Sequence, residues 1–244
     1  MKNVIQLIVL FLVLSALPVE ACTSIIISGK STPDGRPVMW KNRDTDTYQN
    51  AIMYFNDGKY NSMGLIDSDD PTGKAIWIGY NSAGFAIMNT ASYNLIMEDT
   101  IVLKDREGIV MREALMQCAS VDEFESFLKN YNNPLGVEAN FGVINALGGA
   151  AYFEVSNFAY HKLDVNDPAN APMGYIIHTN FSFTGDPNVG SGQIRFKTAV
   201  DLFYEAAQQN NLTVRFILQD VSRSLGHSLT KTDLKKSFSE NSGE

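Results

Sequence analysis

The chain has 244 residues, of which 45% are hydrophobic, 19% charged and 11% aromatic, and this composition excludes a disordered or collagen-like protein. Its 27 acidic and 19 basic side chains give a formal net charge of −8, which argues against a nucleic-acid partner, because phosphate binding needs clustered Lys and Arg. With two cysteines and three histidines, the sequence predicts no disulfide framework, no metal centre and no cofactor.

The first predicted element is a secretory signal peptide over residues 1–21. Lys2 precedes an apolar stretch that is too short to span a bilayer comfortably, and no later segment approaches the roughly 18 apolar residues of a transmembrane helix. We expect cleavage between Ala21 and Cys22. The mature protein would then be secreted or periplasmic, with one domain over 22–244 that begins at Cys22.

A lipid-anchored protein is the alternative interpretation, because bacterial lipoproteins also begin at a cysteine after an apolar leader. Two features favour simple export. Glu20 stands where a small neutral residue is usual before a lipidated cysteine, and no Ser/Gly/Asn-rich tether follows Cys22. The alternative of a non-catalytic, lipid-anchored binding module stays open at this stage.

Apolar runs bounded by Gly, Asn, Asp or Pro predict the strands. A hairpin starts at the mature N-terminus, with arms over 23–27 and 36–41 on either side of Pro33-Asp34-Gly35. A second hairpin turns at Asn81-Ser82-Ala83-Gly84. Beyond the first hairpin, strands are predicted over 51–55, 75–80, 85–90, 141–145, 151–155 and 175–179.

Two helical pairs alternate with the strands. The first pair consists of a helix over 106–119 and a second helix that begins at the capping box formed by Ser120 and Glu123. The second pair covers 193–209 and 213–225, where apolar residues recur at helical spacing. Strands and helices in this order predict an α+β layered domain. Cys118, on the apolar side of a helix, and His178 are interpreted as core residues.

A cysteine at a free N-terminus carries its own base, since a peptide α-amino group titrates near pH 8 and can take the thiol proton as sulfur attacks a carbonyl. Such a site also needs a cation, a carboxylate and amide donors for the oxyanion. Arg43 and Asp46 follow the first hairpin, and antiparallel pairing would return them towards Cys22. The alternative for an isolated R-x-x-D is a surface ion pair.

Five elements occur in a recognisable order along the chain: Cys22, Arg43 with Asp46, Gly79 to Asn81 with Gly84, Phe85 and Asn89, Thr179-Asn180, and Arg195-Phe196. On these residues the sequence resembles the choloylglycine hydrolase and penicillin V acylase group of N-terminal-nucleophile (Ntn) amidases, which includes isopenicillin-N acyltransferase and acid ceramidase-like enzymes. The resemblance spans most of the mature chain. It implies an αββα sandwich and a linear-amide hydrolase.

The resemblance also implies a catalytic role at six positions. Cys22 would be the nucleophile and, through its amine, the base. Arg43 would hold the thiolate and Asp46 would position the amino group.

Three further residues complete the implied site. Asn89 and Asn180 would serve the oxyanion or the leaving nitrogen, in a division of labour that the sequence leaves open. Arg195 would brace the site by its charge. Each also has a plain structural interpretation, as a strand-end cap, a turn residue or a surface pair.

Members of the group continue for about another half-domain after the late arginine helix, so the resemblance implies a sandwich that lacks its usual C-terminal strands. The 21 positions from Cys22 to Arg43 slightly exceed the spacing in the bile-salt enzymes, which favours the acyltransferase-like branch. We expect an exported amidase that acts on a small-molecule N-acyl amide, with N-acyl transfer to an amine as the alternative. Whether the chain forms a homo-oligomer stays open.

Overall fold

The computed structural model of the chain describes residues 22–45, 47–95 and 103–223. The predicted signal peptide, Asp46 and the polar C-terminal end from residue 224 lie outside these described residues. Within the three described ranges, no helix is both long enough and apolar enough to cross a membrane.

Two antiparallel sheets and two groups of helices make up the described part of the chain. The strands are β1 (Thr23–Ile27), β2 (Val38–Asn42), β3 (Asn50–Phe55), β4 (Ser62–Asp67), β5 (Ile78–Asn81), β6 (Phe85–Ala91), β7 (Ala139–Asn145), β8 (Ala150–Val155), β9 (Tyr160–Asp164) and β10 (Tyr175–His178). The helices are α1 (Glu107–Gln117), α2 (Val121–Asn130), α3 (Gln193–Gln208) and the short α4 (Val214–Phe216), with a 3₁₀ turn at Gly29–Ser31 and a π-helical turn at Ile217–Val221.

The elements stack in four layers, because three separate apolar cores lie between them. The small sheet has the order β10-β1-β2 and the large sheet runs from β3 to β9 in sequence order. Helices α1 and α2 pack on the large sheet around Phe124. Tyr152 and Met88 belong to the core between the two sheets, and Phe203 of α3 packs on the outer face of the small sheet. The predicted α+β, αββα sandwich is confirmed.

Strand β1 lies at the centre of the small sheet and is buried on both faces. Ile25 and Ile27 belong to the core against α3, and Ile26 belongs to the core between the sheets. Side chains alternate across a strand, so an unbroken apolar run is what a strand with two covered faces requires. Cys22, the residue before β1, is buried as well.

Both predicted hairpins are present. In the first, Thr23 pairs with Asn42 and Ile27 with Val38. In the second, the Asn81 side-chain oxygen accepts hydrogen bonds from the backbone N–H groups of Ala83 and Phe85, both at 3.1 Å. Gly84 has φ +81°, and a Cβ there would lie 2.6 Å from the Ala146 side chain. The turn therefore needs glycine for its conformation and for space.

Three strand predictions need correction. Strands β4 and β9 were not predicted, because β4 carries a glycine and β9 is half polar. Gly64 of β4 is required by packing, since a Cβ there would lie 2.8 Å from Ile76. The run 75–80 was predicted as one strand, but β5 begins only at Ile78. The Ile76 N–H instead donates to the Gly108 carbonyl at 3.1 Å, so this part of the run attaches to α1.

The helix predictions hold with one exception. The capping box is confirmed, since the Glu123 N–H donates to Ser120 Oγ at 3.1 Å and the Glu123 carboxylate accepts from the Ala119 N–H at 2.7 Å. The helix predicted over 213–225 is helical from Val214 to Val221 in the described part, but only its first three residues are α-helical. Thr213 caps α4, but the chain then widens into the π-helical turn, where Ser222 N–H bonds to the Ile217 carbonyl at 2.8 Å.

Candidate active site

Cys22 lies at the N-terminal end of β1, beside the segment that leaves β2. Its residue is 6% exposed, and its Sγ lies 3.8 Å from the carbonyl oxygen of Asp44. The pairing of Thr23 with Asn42 produces this proximity, because antiparallel strands bring the start of one beside the end of the other. The hairpin therefore returns the Arg43 segment towards Cys22, as predicted.

A buried guanidinium connects Cys22 to a second chain segment. Arg195, in the first turn of α3, is 3% exposed. It donates to the carbonyl oxygen of Cys22, to Thr23 Oγ1 at 3.3 Å and to Asn180 Oδ1 at 2.8 Å. Burial lowers the pKa of Arg195, while the nearby Cys22 and Asp44 act in the opposite direction. The structure thus brings three of the predicted site residues together.

The N-cap of α3, beside this guanidinium, is Gly192, and no other residue fits at this position. Gly192 has φ +95°, and a Cβ at this position would lie 2.7 Å from Arg195 Nη2 and 2.6 Å from Thr179 Oγ1. The missing side chain allows Arg195 to reach the end of β10. Gly192 therefore helps to position Arg195.

Asn180 is fully buried and its carboxamide is bonded at both ends. Its oxygen accepts from Arg195, and its Nδ2 donates to the Ala91 carbonyl at 3.1 Å. One of its two amide hydrogens is therefore committed to the end of β6. Its predicted role at the oxyanion stays a prediction, and the geometry adds a second function, namely fixing β6 to β10.

Asn89 lies on β6 and lines the same cavity as Cys22, a space of about 370 Å³. It is 5% exposed, and its Oδ1 accepts a 2.9 Å hydrogen bond from Lys41 Nζ. Lys41 was missed in the sequence. A signal was available, because Lys41 alternates with Trp40 along β2, and a lysine on the inward face of a strand is unusual.

Arg43 lines the cavity but makes its hydrogen bonds elsewhere. Its guanidinium binds Asp67 Oδ1 at 2.7 Å and Asn50, and it stacks 4.7 Å from the centre of the Trp77 ring. Trp77 Nε1 in turn donates to the other oxygen of Asp67 at 3.0 Å. This cluster anchors the arginine to the end of β4. Its predicted role of holding the Cys22 thiolate stays a prediction, as does that of Asp46, which lies outside the described residues.

An acidic wall, which the sequence did not indicate, closes another side of the cavity. Asp105 and Glu107 line it, at the start of α1. Burial, the largest cause, raises the pKa of Glu107 to about 7, and the charges of Asp105 and Glu138 act in the same direction. The Glu138 N–H donates to Glu107 Oε1 at 3.3 Å. A carboxyl group with this pKa changes its charge near neutral pH.

Cys118 and His178 are core residues, as predicted. Burial raises the pKa of the Cys118 thiol to about 12. His178 is fully buried with its ring centre 4.6 Å from that of Tyr152 and 4.4 Å from that of Phe183. Burial lowers its pKa, while the charge of Glu154, 3.6 Å from its Nε2, acts in the opposite direction. The Cys118 thiol is therefore not a thiolate at neutral pH.

A family profile decides the affiliation of the chain. The profile described as acyl-coenzyme A:6-aminopenicillanic acid acyl-transferase matches residues 31–237. The chain belongs to this acyl-transferase family. The matched segment includes every predicted site residue except Cys22, which lies nine residues before it. No curated protein matches the chain.

Three solved structures are similar to the chain. The Caenorhabditis elegans ortholog of N-acylethanolamine-hydrolyzing acid amidase aligns with a TM-score of 0.56 and 16% identity, over 82% of this chain and 88% of that one. A variant of conjugated bile acid hydrolase from Clostridium perfringens aligns with a TM-score of 0.48 and 15% identity, over 82% and 74%. Penicillin V acylase from Agrobacterium tumefaciens aligns with a TM-score of 0.39 and 14% identity, over 92% and 64%.

Membership in the acyl-transferase family confirms the predicted Ntn group. The fold similarity to the C. elegans amidase ortholog confirms the predicted sandwich. The prediction that the chain is an enzyme is confirmed at the level of this family. The family match alone does not identify the bond on which the enzyme acts.

Proposed function

We propose that the chain is an exported amidase that cleaves N-acyl amides through a thioester on Cys22. The observation that carries the proposal is the convergence of separate chain segments on this cysteine. Arg195 holds the Cys22 carbonyl and Asn180 together, and the adjoining cavity is lined by Cys22, Arg43 and Asn89.

The proposed reaction starts when removal of residues 1–21 frees the α-amine of Cys22. That amine takes the thiol proton while sulfur attacks the acyl carbonyl, so that a C–S bond forms and the carbonyl oxygen becomes an oxyanion. The Asn89 amide donates to the oxyanion. The C–N bond then breaks, and the leaving amine takes the proton from the α-ammonium. Water then attacks the thioester carbonyl while the α-amine takes one of its protons; the C–S bond breaks, the free acid leaves, and the sulfur recovers the proton from the α-ammonium.

An apolar groove lies beside the cavity, and we propose that it binds an apolar acyl group of the substrate. The groove has a volume of about 470 Å³ and lies on the inner face of β3 to β6, with Met39 of β2 at its rim. Residues two apart on a strand share a face, so Met39 and Lys41 extend the same surface from the groove into the cavity. Apolar side chains line most of the groove, including Met39, Ile52, Met63, Leu65 and Ile78.

Acyl transfer to an amine is the second candidate, and the family description favours it, since the family is named for an acyl-transferase. The same Cys22 thioester serves both reactions, and only the second nucleophile differs. Adding increasing concentrations of simple amines to the mature enzyme distinguishes them. A transferase forms new amide in proportion to the amine, whereas a hydrolase releases the free acid at an unchanged rate.

The test of the amidase proposal compares the wild type with Cys22→Ala and Cys22→Ser on a panel of chromogenic acyl amides. We expect turnover only with wild type, and a mass increase of one acyl group on Cys22 in intact-protein spectra. Cys118→Ala is the matched control, because Cys118 is 1% exposed in the core. Turnover or acyl trapping that persists in Cys22→Ala would contradict the proposal.

Export is a part of the proposal that one measurement tests. We expect the protein recovered from the exported fraction to start at Cys22 with an unmodified amine, as read by intact mass and N-terminal sequencing. A start at another residue removes the proposed base. A fatty-acylated Cys22 would instead support the lipid-anchored binding module.

A further inference from the structure

Lys41 is a half-buried cation that donates a hydrogen bond to a carboxamide of the candidate active site. Its Nζ lies 2.9 Å from Asn89 Oδ1 and 3.1 Å from the carbonyl oxygen of Trp77. Lys41 is on β2 of the small sheet and Asn89 on β6 of the large one. The contact therefore crosses the interface between the two sheets, next to Cys22.

An ammonium group decides which way a carboxamide faces. It has three donors and no acceptor, whereas a carboxamide has one oxygen that accepts and one nitrogen that donates. Only the oxygen of Asn89 can therefore face Lys41. The Asn89 nitrogen is directed away from the ammonium, and Asn89 lines the cavity together with Cys22.

The second carboxamide of the site is held in the same manner. Arg195 donates to Asn180 Oδ1 at 2.8 Å, so a cation again occupies the oxygen end. The nitrogen of Asn180, however, donates to the Ala91 carbonyl, while no described residue accepts a hydrogen bond from the nitrogen of Asn89. Asn89 is therefore the carboxamide whose donors are available to a ligand in the cavity.

We propose that Lys41 is a positioning residue that holds the Asn89 carboxamide with its N–H groups towards the reacting carbonyl, an inference that rests on the proposed function above. Without the ammonium, the carboxamide could turn over and present its oxygen to the oxyanion, which would repel it. The charge also polarises the carboxamide and strengthens its N–H groups as donors.

The experiment is a double-mutant cycle with Lys41→Met, Asn89→Ala and the double variant, measured as kcat for a chromogenic acyl amide. Loss of an oxyanion donor lowers kcat by about 10²- to 10³-fold, which we expect for Asn89→Ala. Loss of one charge-assisted hydrogen bond corresponds to about 10- to 100-fold, which we expect for Lys41→Met in the wild-type background. In the Asn89→Ala background the same change should lower kcat by less than about 3-fold.

Alkylation of Cys22 by iodoacetamide is the control, because displacement at a saturated carbon creates no oxyanion. We expect Lys41→Met to leave the alkylation rate unchanged and Lys41→Arg to recover part of the lost kcat. A loss of kcat that is equally large with and without Asn89, or a parallel loss of alkylation, would overturn the proposal, because Lys41 would then act on the thiol or on the fold.

The failure of the proposed function has a different signature. If the wild type is alkylated at Cys22 but turns over no amide in the panel, the amidase proposal fails. The orientation of Asn89 is then decided by its side-chain NH₂ resonance in an Asn-labelled sample, assigned by its disappearance in Asn89→Ala. A shift of this resonance in Lys41→Met supports the positioning role, and an unchanged resonance refutes it.

Discussion

Replacement of Glu107 by glutamine should stabilise the protein, and the gain should depend on pH. Glu107 lies at the start of α1, and burial raises its pKa from 4.5 to about 7. Each pKa unit corresponds to about 1.4 kcal/mol. Ionising this carboxyl in the folded state therefore costs up to about 3 kcal/mol relative to the unfolded chain. Glutamine keeps an oxygen for the Glu138 N–H and carries no charge.

The direction follows from proton linkage. Below pH 4.5 the carboxyl is protonated in both states, and the wild type has its full stability. As the pH rises towards 7, the unfolded chain loses its proton first, so the wild type is progressively destabilised until the folded group also ionises. The glutamine variant avoids this loss, since it has no proton to release. Its advantage should grow from near zero at pH 4 to a plateau above pH 7.

Urea unfolding of wild type and Glu107→Gln at pH 4, 5.5, 7 and 8.5 measures this difference. Glu205→Gln is the control, because Glu205 is exposed on α3 and its replacement should have the same small effect at every pH. A Glu107→Gln effect that does not change with pH, or a variant less stable than wild type at pH 8.5, would refute the assignment of a buried, protonated carboxyl.

Three more predictions concern other parts of the fold. Arg195→Lys keeps the charge but loses the planar fork that reaches both Cys22 and Asn180; urea unfolding should show a loss of about 1.5–3 kcal/mol, and unchanged stability together with full turnover would contradict the bridging role. Iodoacetamide at pH 7.5 should label Cys22 and leave the folded-state Cys118 unmodified, because burial raises the pKa of Cys118 to about 12; peptide mass mapping that finds Cys118 labelled in folded protein argues against this. Asn81→Ala removes the hydrogen bonds from Asn81 Nδ2 to the carbonyl oxygens of Leu115 and Cys118, at 2.9 and 2.7 Å. It should lower the free energy of unfolding by about 2–4 kcal/mol. A loss below about 1 kcal/mol would show that the hairpin does not depend on this side chain.

The local elements were predictable because their signals lie within a few residues of each other. The capping box at Ser120 and the hairpin turn at Asn81 are read from turn residues, and the turn at Asn81 is held by bonds within four positions. The first hairpin even predicted that Arg43 returns towards Cys22, since two paired strands leave few alternatives. Strand β4 was missed because Gly64 reads as a turn, although the residue makes room for Ile76.

The contacts of the site were less accessible to such reasoning. Arg195 and Cys22 are 173 positions apart, Asn180 and Ala91 are 89 apart, and Lys41 and Asn89 are 48 apart. Each contact depends on the register of strands in different sheets and on how the layers stack. The raised pKa of Glu107 likewise comes from burial by other segments, which no local pattern records.

The sequence by itself determined the class of fold; the export leader, the nucleophile and five further site positions are predictions that it supplied. Only the tertiary structure decided how those side chains are bonded: which carboxamide is committed to the backbone, which cation each oxygen faces, and where Arg43 is anchored. The physical reason is that strand and turn signals are local, whereas a buried polar group takes its partner from whatever segment the packing of layers brings within hydrogen-bond distance.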